Sequence, residues 1–141
     1  MLPGNVKITL PEAEDVSIEQ LVNDFSPDQE IHVCSHNVSR SSNTIETVAM
    51  TRTTSARDFV LLEFEDGSNL MITADHQVFD SQQSKWTRAG VITPGGELRG
   101  YDHVMNVIKV HNVRNDLSDR VYNINLTGHS CFFANNVLIK C

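Results

Sequence analysis

The sequence of 141 residues has little of several features that mark particular protein classes. It has only three cysteines and no N-terminal secretion signal, which argues against a disulfide framework and for a cytoplasmic chain. No apolar run is long enough to span a bilayer. Lys and Arg number 11 against 18 Asp and Glu, so the net charge of −7 disfavours nucleic-acid and anionic-membrane partners. We expect one globular domain, residues 1–141, that is a monomer.

Strand signals dominate what is present. Residues 6–10 alternate apolar and polar until Pro11, which cannot donate to a strand ladder. Polar stretches at residues 37–44 and 80–85 are expected to be loops. Many short strands with frequent turns predict an all-β fold. The other expected strands are residues 30–34, 44–51, 59–65, 70–73, 104–113, 121–126, 132–134 and 137–139.

One hairpin and one helical turn have specific local signals. Asp66-Gly67, between two apolar strands, is a strong hairpin turn signal, and Val60, Leu62 and Phe64 would share one face of the first strand. Residues 17–20 (Ser-Ile-Glu-Gln) have the form of a capping box and predict one short helical turn through residue 22. No other helix is expected.

Three stretches, taken in order, resemble the Hint family of inteins, bacterial intein-like domains and hedgehog autoprocessing domains. Residues 66–79 resemble a hairpin that ends in Thr-x-x-His, here Thr73 to His76. Residues 86–98 resemble Trp-x-x-Ala-Gly before a Gly-Asp-x-Leu turn, with Gly96-Glu97 for Gly-Asp. Residues 121–126 and 132–139 resemble the final Val-Tyr-Asp-Leu and Phe-Phe-Ala-Asn-Gly-Ile-Leu-Val strands. Bacterial intein-like domains are the most similar members, and the resemblance implies a horseshoe-like fold of many short strands with one short helical turn.

The resemblance also implies a function. Family members attack the peptide bond before their own first residue, where a Cys or Ser converts the amide to a thioester or ester. His76 would protonate the departing nitrogen. Thr73 would polarise the scissile carbonyl or orient His76. We therefore expect the His76 imidazole to face residue 1 across a pocket. No cofactor is expected to be required.

Both ends of the chain depart from the family pattern. Met1 stands at the nucleophile's position and has no ionisable thiol, which indicates a replaced Cys, a naturally inactive domain, or a Cys that belongs just before Met1. Lys140 and Cys141 stand where splicing inteins have His and Asn, and neither can form a succinimide. Cleavage or transfer to a thiol or amine then becomes the expected outcome, with Cys141 as an acceptor thiol or as an ordinary terminal cysteine.

The remaining His and Cys residues raise a metal hypothesis. His129 stands one residue before the family's usual histidine position, which holds Ser130, and a loop could bring it into the site. His76, His129 and Cys141 could then bind an inhibitory zinc ion. Cys131 is expected to be a buried free cysteine, and residues 34–36 (Cys-Ser-His) exposed loop residues.

Two other functions stay open beside self-processing. One is a degenerate, non-catalytic β domain that acts as a binding or spacer module, and the other is a zinc-binding enzyme. If the domain processes itself, its partners are its own flanking segments. Some intein-like domains lie between ubiquitin-like domains, so flanking ubiquitin-like domains are one expectation.

Overall fold

A computed structural model describes residues 1–141, and almost all of its regular structure is β-strand. One α-helix, α1, covers Ile18–Asp24, and two short 3-10 turns cover Pro11–Ala13 and Ala89–Val91. The twelve strands are β1 Leu2–Pro3, β2 Lys7–Thr9, β3 Asp15–Ser17, β4 His32–Asn37, β5 Ser42–Phe64, β6 Asn69–Thr73, β7 Gln77–Asp80, β8 Lys85–Arg88, β9 Glu97–Leu98, β10 Met105–Leu126, β11 Cys131–Ala134 and β12 Val137–Lys140.

The strands form one antiparallel sheet that brings both ends of the chain to its middle. Its order is β3-β2-β11-β12-β7-β9-β10-β5-β4, while β1 pairs with β10, β6 with β5, and β8 with β7. The N-terminal β1 lies against β10, and the C-terminal β12 lies between β11 and β7. The expectation of an all-β fold with one short helix is confirmed.

Two strands are much longer than the sequence predicts. The expected strands 44–51 and 59–65 are parts of one strand, β5, and the expected strands 104–113 and 121–126 are parts of one strand, β10. The two long strands pair with each other over most of their length. Their central parts are exposed, so backbone hydrogen bonds rather than an apolar face hold them in the sheet. The alternation of apolar and polar residues therefore stops in the central parts of β5 and β10, although both strands continue through them.

The hairpin turns follow local chemistry. Gly67 has φ of 88°, its N–H donates to the Phe64 carbonyl, and β5 pairs with β6 as expected. Asn135 and Asn136 join β11 to β12 with φ of 44° and 72°, a conformation that asparagine tolerates better than most residues. The β4–β5 connection needs only four residues, 38–41, so half of the expected loop 37–44 is strand.

Helix α1 begins where the sequence predicts, but its capping box is half formed. The Ser17 hydroxyl accepts the Gln20 backbone N–H at 3.2 Å, as an N-cap residue does. The Gln20 side chain donates to Asp24 at 2.9 Å instead of returning to the backbone of Ser17. The helix is therefore capped by one hydrogen bond.

The core consists of a large apolar cluster and a smaller one. Val60, Leu62 and Phe64 are buried together on one face of β5, as predicted. The smaller cluster contains Cys34 and Cys131, both free. Residues 34–36 are buried in β4, so the expectation of exposed loop residues was wrong: the strand extends to residue 37 and pairs with β5. None of the helices is both long and apolar enough to cross a membrane.

Candidate functional site

Residue 1 is held in place by the two strands beside it. Leu2 is fully buried and pairs with Tyr122 on β10. The backbone N–H and the hydroxyl of Thr73, the last residue of β6, both donate to the Met1 carbonyl, at 3.1 and 3.2 Å. The Met1 amine donates to the same hydroxyl oxygen at 3.0 Å. Thr73 therefore anchors residue 1.

A tight turn brings His76 to the same place. The His76 backbone N–H donates to the Thr73 carbonyl at 3.1 Å, which closes a turn over residues 73–76 directly after β6. This turn explains the Thr-x-x-His spacing, because residues at its two ends lie close together. His76 is 9% exposed, and its Nδ1 is in hydrogen-bond contact with the Met1 amine nitrogen. The expectation that the imidazole faces residue 1 is confirmed.

The same imidazole also contacts the other end of the chain. His76 Nε2 lies 2.5 Å from the carbonyl oxygen of Lys140, at the end of β12. Because a carbonyl can only accept, Nε2 carries the hydrogen and Nδ1 presents its lone pair to the Met1 amine. The imidazole of His76 therefore contacts both the nitrogen of residue 1 and the peptide bond between residues 140 and 141.

Burial keeps both groups of this contact uncharged. It lowers the pKa of the Met1 amine from 8.0 to about 5, with Arg52 acting in the same direction and Asp75 opposing. Burial, and next the charge of the amine, lowers the pKa of His76 from 6.5 to about 4, while the Lys140 carbonyl opposes this shift. At neutral pH the site therefore contains a neutral amine and a neutral imidazole.

The two C-terminal residues contribute different groups. The Lys140 side chain is exposed and its Nζ lies 5.9 Å from the centroid of the Trp86 ring, so its role at the site belongs to its backbone carbonyl. The Cys141 N–H donates to the Ser130 carbonyl at 2.9 Å, and the residue is partly buried. Burial raises the pKa of the Cys141 thiol to about 12, so the thiol is protonated at neutral pH.

A small polar cavity of about 280 Å³ connects these groups. Asn123 of β10 is 7% exposed, and its buried Oδ1 has no hydrogen-bond partner. In the β1–β10 register Leu2 faces Tyr122, so the next step places residue 1 beside Asn123. The cavity is lined by Met1, Arg52, Asp75, His76, Gln77, Asn123, Lys140 and Cys141.

Comparison with known proteins gives matches in structure only. No family model matches the sequence, and no curated protein matches it. Solved inteins match over the whole chain, however. A DnaB intein from Synechocystis has a TM-score of 0.81 at 16% identity, covering 99% of this chain and 96% of that one.

Two further structures agree with this match. The bacterial intein-like domain from Clostridium thermocellum has a TM-score of 0.82 at 19% identity, covering 100% of this chain and 99% of that one. The DnaX mini intein from Spirulina platensis has a TM-score of 0.77 at 20% identity, with coverages of 99% and 98%. This chain has the intein fold. The resemblance to the Hint family is thus confirmed at the level of fold.

Within this intein fold, His129 lies outside the site, so the expectation that a loop would bring it in was wrong. Cys131 pairs with Lys140, and the Ser130 carbonyl accepts from Cys141. His129 is one residue further along, beyond the last residue of the chain, and is exposed in the turn before β11. It does not line the cavity.

The expected zinc ligands are also not brought together. The structure contains no group of three or more His, Cys, Asp or Glu side chains that could hold a metal ion. His76 and Cys141 line the cavity, whereas His129 does not. Cys131 is buried as expected, and its thiol donates to the His36 carbonyl at 3.2 Å rather than facing the site.

Sequence reasoning missed four of the residues that line the cavity, namely Arg52, Asp75, Gln77 and Asn123. Asn123 stands at the Asp position of the Val-Tyr-Asp-Leu pattern, and its place in a buried apolar run was a signal that could have identified it. Arg52 lies in the exposed central part of β5, and Asp75 lies inside the 73–76 turn. Both are ordinary exposed residues by local pattern, and only the pairing of distant strands makes them neighbours of residue 1.

Proposed function

We propose that this chain is an autoprocessing domain whose site is arranged for the peptide bond before its own residue 1, although Met1 leaves that bond without an attacking group. The observation that carries the proposal is the position of His76, whose Nδ1 contacts the nitrogen of residue 1 and whose Nε2 contacts the Lys140 carbonyl. In a polypeptide that continues upstream, this nitrogen is the nitrogen of the scissile amide. An amide nitrogen leaves well only when it is protonated, and Nδ1 is placed to deliver that proton once the imidazole has itself been protonated.

Thr73 positions residue 1 for the reaction. Two hydrogen bonds from Thr73 to the Met1 carbonyl fix residue 1, so a nucleophilic side chain there would stay beside the bond it attacks. An upstream amide nitrogen is uncharged, which removes one of the two causes that lower the pKa of His76. The imidazole is then easier to protonate before the acyl shift than after it.

Met1 stops the reaction at this junction. The acyl shift needs a nucleophile that can lose a proton, and a thioether has none. With cysteine at position 1, the amide would become a thioester, and a small thiol, water, an amine or the Cys141 thiol would take the acyl group. Because Lys140 cannot cyclise as asparagine does, cleavage or transfer fits this site better than splicing.

The test is a fusion of a reporter protein to residue 1 of the Met1→Cys variant. On incubation with a small thiol we expect release of the reporter as a thioester, observed by mass spectrometry, while the fusion with Met1 stays intact at this junction. His76→Ala in the same fusion should slow release by about 10²–10⁴-fold. His32→Ala, a change at an exposed histidine of β4, is the matched control and should release at the unmodified rate.

The alternative, a non-catalytic binding or spacer domain, gives the opposite result. If the folded Met1→Cys fusion stays intact with thiol over the same time, the domain has lost the chemistry, and the autoprocessing proposal fails. A Cys141→Ala variant of the fusion separates the acceptors, because external thiol would still release the reporter but no acyl transfer to Cys141 could occur.

A further inference from the structure

The site holds a second peptide bond, the one between Lys140 and Cys141. Its carbonyl oxygen lies 2.5 Å from His76 Nε2, and the residue that follows the carbonyl carries a thiol. Residue 1 contacts the other ring nitrogen, Nδ1, through its own nitrogen but has no nucleophile. Of the two bonds that His76 can reach, only the C-terminal one therefore has an attacking group in this sequence.

We propose that the cavity acts on this C-terminal bond, with the Cys141 thiol attacking the carbonyl of Lys140. The product is a thioester that a small thiol from solution then takes. The inference rests on the proposed function, because it uses the same His76 in an autoprocessing site. It differs in needing no substitution at residue 1.

The step balances without an oxidant, a reductant or a metal. A bond forms between Cys141 Sγ and the Lys140 carbonyl carbon, the carbon–nitrogen bond breaks, and the thiol hydrogen ends on the departing nitrogen as a free amine. A small thiol then attacks the thioester, its sulfur bonds to the carbonyl carbon, and Cys141 leaves with its thiol restored. The chain then ends at Lys140 as a thioester of the small thiol.

His76 can activate this carbonyl without being charged. The Nε2–H donates to the oxygen on which negative charge develops during attack, which is the electrostatic role of an oxyanion-hole donor. The Met1 amine holds this tautomer by donating to Nδ1. Because the ring already donates in the neutral form, the reaction does not need acidic solution.

The cavity offers space and an unsatisfied acceptor for the incoming thiol. Its volume of about 280 Å³ lies between His76, Cys141 and Asn123. The Asn123 Oδ1 is buried without a donor, and leaving such an oxygen unpaired costs about 1–3 kcal/mol. A small thiol brings one S–H donor, so Asn123 can orient it by accepting that hydrogen.

The raised pKa of Cys141 sets the pH dependence. The thiolate is the attacking form. At pH values below the pKa of about 12, its fraction rises about tenfold for each unit by which the pH increases. We therefore expect the reaction to be slow at pH 7 and to accelerate steadily through pH 9.

The experiment uses the unmodified chain with 2-mercaptoethanesulfonate at pH 7, 8 and 9. Intact-mass measurement should show a chain that ends at Lys140 as the thioester, at a rate that rises several-fold per pH unit. The same chain in concentrated urea gives the background rate of the sequence, and we expect the folded protein to exceed it at least tenfold. Equal rates in the folded and unfolded chain, or no cleavage of the folded chain, would overturn the proposal.

Single substitutions test the roles of Cys141, His76 and Asn123 in this reaction. Cys141→Ala should abolish the thioester, whereas Cys34→Ala, which also removes a buried thiol, should leave its formation unchanged. His76→Ala should reduce the rate at least tenfold while circular dichroism shows the fold retained. Asn123→Ala should raise the thiol concentration for half-maximal rate more than it lowers the maximal rate. Formation of the thioester at an unchanged rate in the His76→Ala variant would contradict the assignment.

The two proposals fail separately. Cleavage of the Met1→Cys fusion without cleavage after Lys140 would remove this inference and keep the proposed function. Cleavage after Lys140 with an inert Met1→Cys fusion would remove the proposed function and keep this inference.

Discussion

Single residues at this site respond to pH because burial has moved their pKa values. The Met1 amine and His76 are both neutral in the folded protein at pH 7, and both bind protons more readily in the unfolded chain. Wherever the unfolded state binds more protons, stability rises with pH. The stability that these neutral groups contribute is therefore present above their unfolded pKa values and lost as the pH falls through their folded ones.

We predict that replacing His76 flattens part of this pH dependence. Between pH 6.5 and about pH 4 the unfolded His76 is protonated while the folded one resists protonation, so stability falls on acidification. His76→Gln lacks the titrating ring and should lose on the order of 1–3 kcal/mol less than the wild type over this range. Urea unfolding at four pH values measures the difference. If the two stability profiles stay parallel from pH 7 to 4, the pKa of His76 is not lowered.

At the scale of elements, helix α1 is determined by its near neighbours in sequence, whereas the two longest strands are determined by pairing between distant segments. Helix α1 begins at a residue that its own neighbours select, since the Ser17 hydroxyl caps the Gln20 N–H. The long β5 and β10 strands depend on each other instead, because their exposed middle parts have little apolar surface to bury. The sequence therefore predicts the helix start correctly and divides each long strand into two.

We predict that Ser17→Ala destabilises the protein by about 1 kcal/mol, because the Gln20 N–H loses its acceptor at the helix start. Ser17→Asp is the matched variant that keeps a capping oxygen, and it should stay within a few tenths of a kcal/mol of the wild type. Urea denaturation at pH 7 compares the three proteins. A loss in the aspartate variant as large as in the alanine variant would show that capping is not the cause.

At the scale of the whole molecule, the fold joins the two ends of the chain. Met1 and His76 are separated by 75 residues and His76 and Lys140 by 64, yet all three meet. The large apolar cluster draws on α1 and on ten of the twelve strands, which include β1 and β2 from one end of the chain and β11 and β12 from the other. Since one core supports strands from both ends, we propose that residues 1–141 fold as one domain with a single cooperative transition.

We predict that the core tolerates truncation poorly. Phe132 of β11 is fully buried in the large cluster, and Phe132→Ala should cost about 3–5 kcal/mol through lost burial and the cavity left behind. Leu117→Ala is the control: Leu117 is 77% exposed, and its truncation should change stability by less than about 0.5 kcal/mol. Chemical unfolding followed by circular dichroism gives both values, and two distinct transitions in the wild type would contradict the single domain.

The sequence by itself determined the features that depend on near neighbours. The Asp66-Gly67 turn, the buried face of Val60, Leu62 and Phe64, the start of α1, and the Thr73 to His76 spacing all follow from short-range conformational preference and from alternation along a strand.

Only the tertiary structure decided what lies opposite His76. It placed the Lys140 carbonyl and Asn123 in the cavity and left His129 outside it. These positions depend on which strands pair and in which register across most of the chain. A pattern read over a few residues contains no information about such pairing, because the hydrogen bonds that fix it join strands far apart in sequence.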